Sequence, residues 1–317
     1  MRPPAVIEKF QHLKFMRKIA FGYSTRCNIR CAHCVAAGAV PDYKKMELAE
    51  AKKIIRDLAA VDVTGVSFTA GEPFLYFSDL LELISLCQEL NIYTRIVTNS
   101  YWAKTPEAAR HMLSMLKESG LSQLRISSSR WHQEHVPFRN VLNAAQGCMQ
   151  TGIDYFISFV TDFSEEDDAH EQFLRDHGLK FFPEPIIYAG RADSLGRKEL
   201  FTDYQDNRCA MNPYLAPDLN MYACCDAGSH FATTHVFLLG NLQDHSVEQL
   251  FIRSETNPLY NCIRFLGIST VASFSGLKAR EIVTYRKCEL CKILFDTPET
   301  LKNLQEAAGT NLKRWVR

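Results

Sequence analysis

The sequence predicts an α/β protein: an open, partial (β/α)6 barrel of the TIM type, followed by a small C-terminal cysteine-rich domain. Three observations predict it. Six β-rich runs, at residues 19–24, 63–69, 93–98, 121–127, 155–161 and 180–187, end at intervals of about thirty residues after a longer first gap, the length of a strand–helix unit. The stretches between them carry helical spacing and helical caps. After about residue 191 the alternation stops, and turn-rich chain with cysteines near both of its ends takes over.

Taken in order, residues 1–18 carry five basic residues and one acid, Glu8, with Val6, Phe10 and Leu13 at helical spacing. They predict a short helix covering one end of the barrel, too short for a separate leader-peptide-binding domain. Leu48, Ala51, Ile55 and Leu58 lie along one face of the helix between the first two strands. The third helix opens with Thr105 as N-cap and Pro106 in its first turn, and stops at Gly120. Repeated βα units imply a parallel sheet with right-handed crossovers. Six units are too few to close an eight-stranded barrel, so the sheet is expected to stay open, with its chemistry on the loops after the carboxyl ends of the strands. A boundary near Arg197 divides a core domain, residues 1–197, from a second domain, residues 198–317, which ends in a closing helix from about Pro298.

Composition narrows the function classes. Lys and Arg number 36, as do Asp and Glu, so no broad electrostatic case exists for nucleic acid or membrane binding, although local basic patches are compatible with the balance. No apolar run reaches the eighteen or so residues of a membrane span, and the N-terminus has no hydrophobic signal region. Eleven cysteines without a secretory signal point to reduced thiols and metal in a cytoplasmic protein, not to a disulfide scaffold.

The first cysteine group follows the first strand directly: Cys27, Cys31 and Cys34 in a CxxxCxxC run, with His33 before the last. Iron–sulfur cubanes take one thiolate per iron, so three thiolates on a tight loop leave one iron open to a non-protein ligand. A zinc site would more naturally close all four positions with two separated pairs. This spacing resembles the signature of the radical S-adenosylmethionine (SAM) superfamily. The resemblance implies a SAM-binding [4Fe-4S] cluster whose open iron is chelated by SAM. Reductive cleavage would then give methionine and a 5'-deoxyadenosyl radical that abstracts hydrogen from substrate. Ala70-Gly71-Glu72-Pro73, at the end of the second strand, resembles the family's GGEP element, which binds the SAM amino group; Ala70 stands in place of the first Gly. Glycine there permits close backbone approach, and Glu72 offers a carboxylate acceptor. Thr98-Asn99-Ser100 sits where the family has a Thr-Asn-Gly turn. Asn99, Ser127 and Ser158 are candidate SAM contacts or plain turn and strand residues. Arg191 resembles a segment that follows the sixth strand in this family.

The second group is Cys209, Cys224, Cys288 and Cys291, the last two a CxxC pair. It resembles the SPASM or twitch auxiliary-cluster domain, with Pro217 to Cys224 like its Asp-Gly-x-x-Tyr-x-Cys hairpin and Leu219 where Gly is usual. The resemblance implies one auxiliary [4Fe-4S] cluster with four thiolates, serving electron relay and pocket shaping; a zinc knot on the same ligands is the alternative.

Cys225, beside Cys224, is either a free thiol able to return a hydrogen atom to a substrate radical, hence an epimerase, or a ligand or buried cysteine. Nearly the whole chain is similar to the radical SAM epimerases of ribosomal peptides of the epipeptide type, through the Cys-Cys pair, the closing CxxC and the segment Ile126 to His132. Those enzymes tend to have Asp where this chain has Ser129. His132 is a candidate substrate contact; it and His135 are alternatively surface or packing residues. The resemblance therefore implies a peptide maturase acting on a ribosomal (RiPP) precursor, with a flavodoxin- or ferredoxin-type electron donor. The alternatives are a thioether or carbon–carbon cross-linker, a small-molecule aminocyclitol or aminoglycoside dehydrogenase or epimerase, and a non-enzymatic metal-binding scaffold.

Overall fold

The protein is described by a computed structural model covering residues 16–36, 43–196, 208–225, 235–274, 287–295 and 298–315. The expected N-terminal helix lies almost wholly outside the described residues, as does the boundary expected near Arg197. The chain divides into two compact units, one built on Lys18–Lys198 and the other on Glu199–Leu215 with Leu219–Arg317.

The first unit alternates strands and helices in chain order. These are β1 (Arg17–Gly22), α1 (Leu48–Ala60), β2 (Val63–Thr69), α2 (Phe77–Glu89), β3 (Tyr93–Thr98), α3 (Pro106–Glu118), β4 (Gln123–Ser128), α4 (Arg130–Gln133), α5 (Phe138–Thr151), β5 (Asp154–Thr161), α6 (Glu165–Asp176) and β6 (Phe181–Pro185). The strands lie in sequence order across the sheet, and β2 to β6 pair in parallel, with Phe68 opposite Ile96, Thr98 opposite Ile126 and Ser127 opposite Ser158. The first strand sits two residues earlier than expected, because Ser24 leaves the strand to form an isolated antiparallel bridge with Lys45. The cap of α3 is as expected: Thr105 Oγ1 accepts from the Ala108 amide at 3.2 Å, and Gly120 takes φ +94° just past the helix end.

One face of this sheet is the core. Phe68, Ile96, Ile126, Ile157 and Phe159 are fully buried there, each worth about 1.5–3 kcal/mol by removal from water. Helices α1 (Ala51, Ile54, Ile55, Leu58) and α3 (Ala109, Leu113, Leu116) turn buried apolar stripes inward. The other face, by strand alternation, carries Ser67, Arg95, Gln123, Arg125, Ser127, Ser158 and Glu184. A parallel sheet covered on both faces would read as unbroken apolar runs. Polar alternation therefore marks a sheet with one helix-covered face and a polar lumen, as a partial barrel requires.

The second unit holds β7 (Tyr214–Leu215), β8 (Asn220–Tyr222) and β9 (Leu238–Asn241), paired antiparallel, then α7 (Val247–Thr256), α8 (Pro258–Phe265), α9 (Ile268–Phe274), α10 (Lys287–Phe295) and α11 (Pro298–Trp315). Helix α7 opens on a complete capping box between Ser246 and Gln249, and Asn257 caps α8. The Arg264 guanidinium binds Ser254 O at 2.7 Å and Ser254 Oγ at 2.8 Å, tying α8 to α7. The closing helix begins at Pro298, as expected. Among the described residues, no helix is long and apolar enough to cross a membrane.

Candidate functional site

The loop after β1 carries Cys27, exposed, Cys31, buried, and Cys34, half-buried. Its shape is set by backbone contacts from two distant segments. The Glu72 amide donates to Arg26 O at 2.8 Å. The Arg191 amide donates to Cys34 O at 3.1 Å, and its Nε donates to Cys31 O at 2.9 Å. Arg191 thus clasps the carbonyls of Cys31 and Cys34. Gly71 lies so close to the loop that an added Cβ would fall 2.2 Å from Arg26 O and 2.8 Å from Ser24 O. The close approach inferred for this glycine is an approach to the cysteine loop itself.

Ala70, where the family carries Gly, holds φ +66°, followed by Gly71 at φ +57°. Ser100, where the family turn has Gly, holds φ +63°, and Leu219, likewise in place of a usual Gly, holds φ +70°. The turn at Leu219, whose geometry the substitution put in question, keeps its left-handed conformation with a side chain that ordinarily disfavours it by about 1–2 kcal/mol.

Glu72 is buried, and its carboxylate accepts from Thr98 Oγ1 at 2.8 Å, the Asn99 amide at 2.8 Å and the Phe74 amide at 3.2 Å. Burial raises its pKa to about 7, against the downward pull of those three donors. The carboxylate is therefore a brace between the ends of β2 and β3. Pro73, buried, opens the one-turn helix that follows it. Asn99 carries the brace onward, since its Nδ2 donates to Asn28 Oδ1 at 2.9 Å and lies 3.9 Å from Cys27 Sγ.

His33 is buried with Nδ1 unpartnered; its ring centroid lies 5.0 Å from Trp131 and 4.5 Å from His132. Burial pushes its pKa well down, helped by His132, Arg191 and Arg130. His132 is also buried, and its pKa falls to about 4 through burial and the nearby His135. Ser129 Oγ accepts from the His132 amide at 3.2 Å and shares a hydrogen bond with His132 Nδ1 at 2.8 Å, which fixes the plane of the ring. Arg130 anchors this short helix by binding both Asp162 oxygens, at 2.9 and 2.6 Å, and pairing with Asp167 at 2.7 Å; its guanidinium lies 4.0 Å from the Trp131 ring centre. The structure therefore gathers His33 and His132 beside the cysteine loop, and places His132 as a packed, oriented ring.

Ser127 and Ser158 are register partners on the polar sheet face. Ser158 Oγ accepts from Arg125 at 2.8 Å, and Arg125 also pairs with Glu184. Arg95 and Arg125 lie 5.4 and 5.6 Å from the Phe156 ring centre. Sequence reasoning missed this charged belt. The signal was present as arginines inside two runs, Tyr93–Thr98 and Gln123–Ser128, that otherwise read as buried strands.

In the second unit, Cys291 is pushed well above the ordinary thiol range by burial and by the proximity of Cys288, Cys224 and Cys209. Lys287 Nζ donates to Arg208 O at 2.5 Å, drawing the Cys209 segment onto α10. The four expected auxiliary ligands are thus neighbours, and Cys225 next to them is exposed.

Both cysteine sets suit iron–sulfur clusters by their donors. Cys31 is raised to about 12 by burial and by the neighbouring Cys34 and Cys27, so a strongly positive centre is what would hold its sulfur as a thiolate. Among the described residues, no three His, Cys, Asp or Glu side chains converge closely enough to hold a single metal ion.

Comparison with known proteins agrees with this geometry. The family model described as the radical SAM superfamily matches residues 22–175. Fe-coproporphyrin III synthase of Methanosarcina barkeri is 26% identical over 57% of this chain and 47% of its own. The putative peptide biosynthesis protein YydG of Bacillus subtilis is 20% identical over 58% of this chain and 59% of its own. The chain thus spans about half of these relatives' lengths. A solved structure of anSMEcpe with bound AdoMet, 15% identical, superposes with a TM-score of 0.56 over 94% of this chain and 98% of that one, which supports the partial-barrel fold.

Proposed function

We propose that the protein is a radical SAM enzyme that modifies a peptide, by epimerisation with Cys225 as hydrogen-atom donor, a reading supported by the match of the radical SAM superfamily model to residues 22–175. The observation that carries the radical reading is the three-cysteine loop held at both ends, by Gly71–Glu72 from β2 and by Arg191 after β6. Cys27, Cys31 and Cys34 would hold the SAM-binding [4Fe-4S] cluster; Cys209, Cys224, Cys288 and Cys291 would hold the auxiliary one. When bound and reduced, the first cluster and SAM supply a carbon radical able to remove a substrate hydrogen.

The chain's own residues do the rest. Glu72, Thr98 and Asn99 keep the ends of β2 and β3 in register beside Cys27. Ser127 and the Arg125–Ser158–Glu184 belt line the polar sheet face where SAM and substrate groups would bind. Cys225, exposed beside Cys224, would be the thiol that meets the substrate radical. Its S–H would give one hydrogen atom to the substrate radical, and the thiyl radical left behind would regain the thiol by taking one electron from a one-electron carrier protein and one proton from solvent. The peptide class is supported by the likeness to the putative peptide biosynthesis protein.

The test is anaerobic turnover of a candidate precursor peptide in heavy water, read by mass spectrometry. One deuterium per modified residue is expected, and Cys225→Ala should abolish its incorporation while iron content and SAM cleavage persist. Loss of auxiliary-cluster iron in Cys225→Ala makes Cys225 a ligand and ends the donor role. Turnover without solvent deuterium, with a bond formed within the peptide, replaces epimerisation by cross-linking.

A further inference from the structure

We propose that the exposed rim of the cysteine loop, formed by Arg26, Arg30 and Lys44, is the docking surface for an acidic one-electron carrier protein. The inference rests on the proposed function and names the place where its reductant binds. Reductive cleavage consumes one electron for each sulfur–carbon bond broken, and that electron must reach the cluster held by this loop. Arg26, Cys27, Arg30 and Lys44 are all exposed. Lys44 belongs to the same surface as the loop because the Thr25 amide donates to Lys44 O at 2.9 Å and the Lys44 amide to Thr25 Oγ1 at 3.0 Å. The adjacent Ser24–Lys45 bridge extends that seam.

None of the three cations is paired with a carboxylate among the described residues. Arg26 faces the Tyr76 phenol. The acids around the loop are otherwise engaged: Glu72 is buried inside the brace, and Asp79 is held by Lys45 at 3.0 Å and by the Tyr23 hydroxyl at 2.6 Å. Among the described residues, Glu47, just before α1, is the exposed acid nearest in sequence. In a chain whose charges balance at 36 against 36, three cations with no carboxylate partner among the described residues are a local excess at the redox loop. Such a patch contributes little to stability, but it steers an oppositely charged partner and raises its association rate by about ten- to a thousandfold, an effect that salt suppresses. The loop's backbone is already fixed by Glu72 and Arg191, so docking would reorganise little of the redox site.

The experiment compares two routes of reduction in the reconstituted full chain. In the first, the cluster is fully pre-reduced with dithionite and single-turnover SAM cleavage is followed; in the second, reduced flavodoxin, an acidic carrier, is the only electron source. The doubly charge-reversed variant Arg30→Glu/Lys44→Glu should match wild type within about twofold on the first route. On the second it should lose about tenfold or more in rate, together with most of the salt dependence. Equal flavodoxin-driven rates in variant and wild type, or a wild-type rate indifferent to salt, overturns the docking surface. Absence of cleavage in pre-reduced wild type overturns the proposed function instead.

Discussion

Replacing Gly71 with Ala introduces one methyl group where the backbone of the cysteine loop already stands. The new Cβ would lie 2.2 Å from Arg26 O, 2.8 Å from Ser24 O and 2.9 Å from the Arg26 carbonyl carbon. All three are main-chain atoms, so no side chain can swing aside. The residue also holds φ +57°, which costs an alanine about 1–2 kcal/mol. Relief requires the two segments to part, which breaks the 2.8 Å bond from the Glu72 amide to Arg26 O and leaves buried groups unpaired, at about 1–3 kcal/mol more. The sum is about 2–5 kcal/mol. Gly152→Ala is the control: it shares the conformation, at φ +68°, but an added Cβ there meets nothing within 4 Å, so only the strain of about 1–2 kcal/mol applies. Urea unfolding of both variants, with iron content after anaerobic reconstitution, reads the difference. Gly71→Ala should unfold at distinctly lower urea than Gly152→Ala and retain less iron. If the two variants lose equal stability and both load iron like wild type, the close approach does not hold the loop, and the reasoning fails.

Other outcomes follow from the same geometry. Ser100→Gly should stabilise the protein by about 1–2 kcal/mol in urea melts, since it relieves φ +63° and removes a buried hydroxyl that has no partner; a loss of stability would show that the hydroxyl is satisfied in solution. Arg191→Ala frees the Cys31 carbonyl and should cost about 1–3 kcal/mol and lower iron retention, while Arg191→Lys should restore charge but not iron, because an ammonium lacks the guanidinium's fixed fork. Glu72 and His132 should bend the pH dependence of stability in opposite senses. Glu72, raised by burial from 4.5 to about 7, holds its proton while the unfolded chain releases one, so its contribution falls as pH rises through that window. His132, lowered by burial from 6.5 to about 4, refuses a proton that the unfolded chain takes up, so its contribution is complete above 6.5 and falls as pH drops toward 4. Each amounts to about 3 kcal/mol, and they offset where the windows overlap. Urea midpoints should therefore climb from pH 4.5 to 6.5 in Glu72→Gln and decline over the same range in His132→Gln; parallel curves in the two variants would refute the assignment.

Much of the core unit was legible because it rests on local periodicity. The runs ending at Thr69 and Thr98 were read to the residue, and Thr105, Pro106 and Gly120 punctuate α3 as their conformational preferences dictate. Less legible were the strand starts and the division of labour among polar residues. Arg191, legible only as part of a segment after the sixth strand, holds the Cys31 carbonyl, a partner 160 positions away in sequence. The protein partners of Glu72, which are Thr98, Asn99 and Phe74, were not legible in the sequence.

By itself the sequence determined the βα alternation and the helix punctuation, because strand period and helix caps are carried by neighbouring residues. Only the tertiary structure decided why Gly71 must be glycine, which carboxylates are consumed as braces, and that Ala70, Ser100 and Leu219 keep left-handed conformations the family meets with glycine. Those outcomes depend on what lies across a gap of a few ångströms from a distant segment, and residue order alone does not specify that distance.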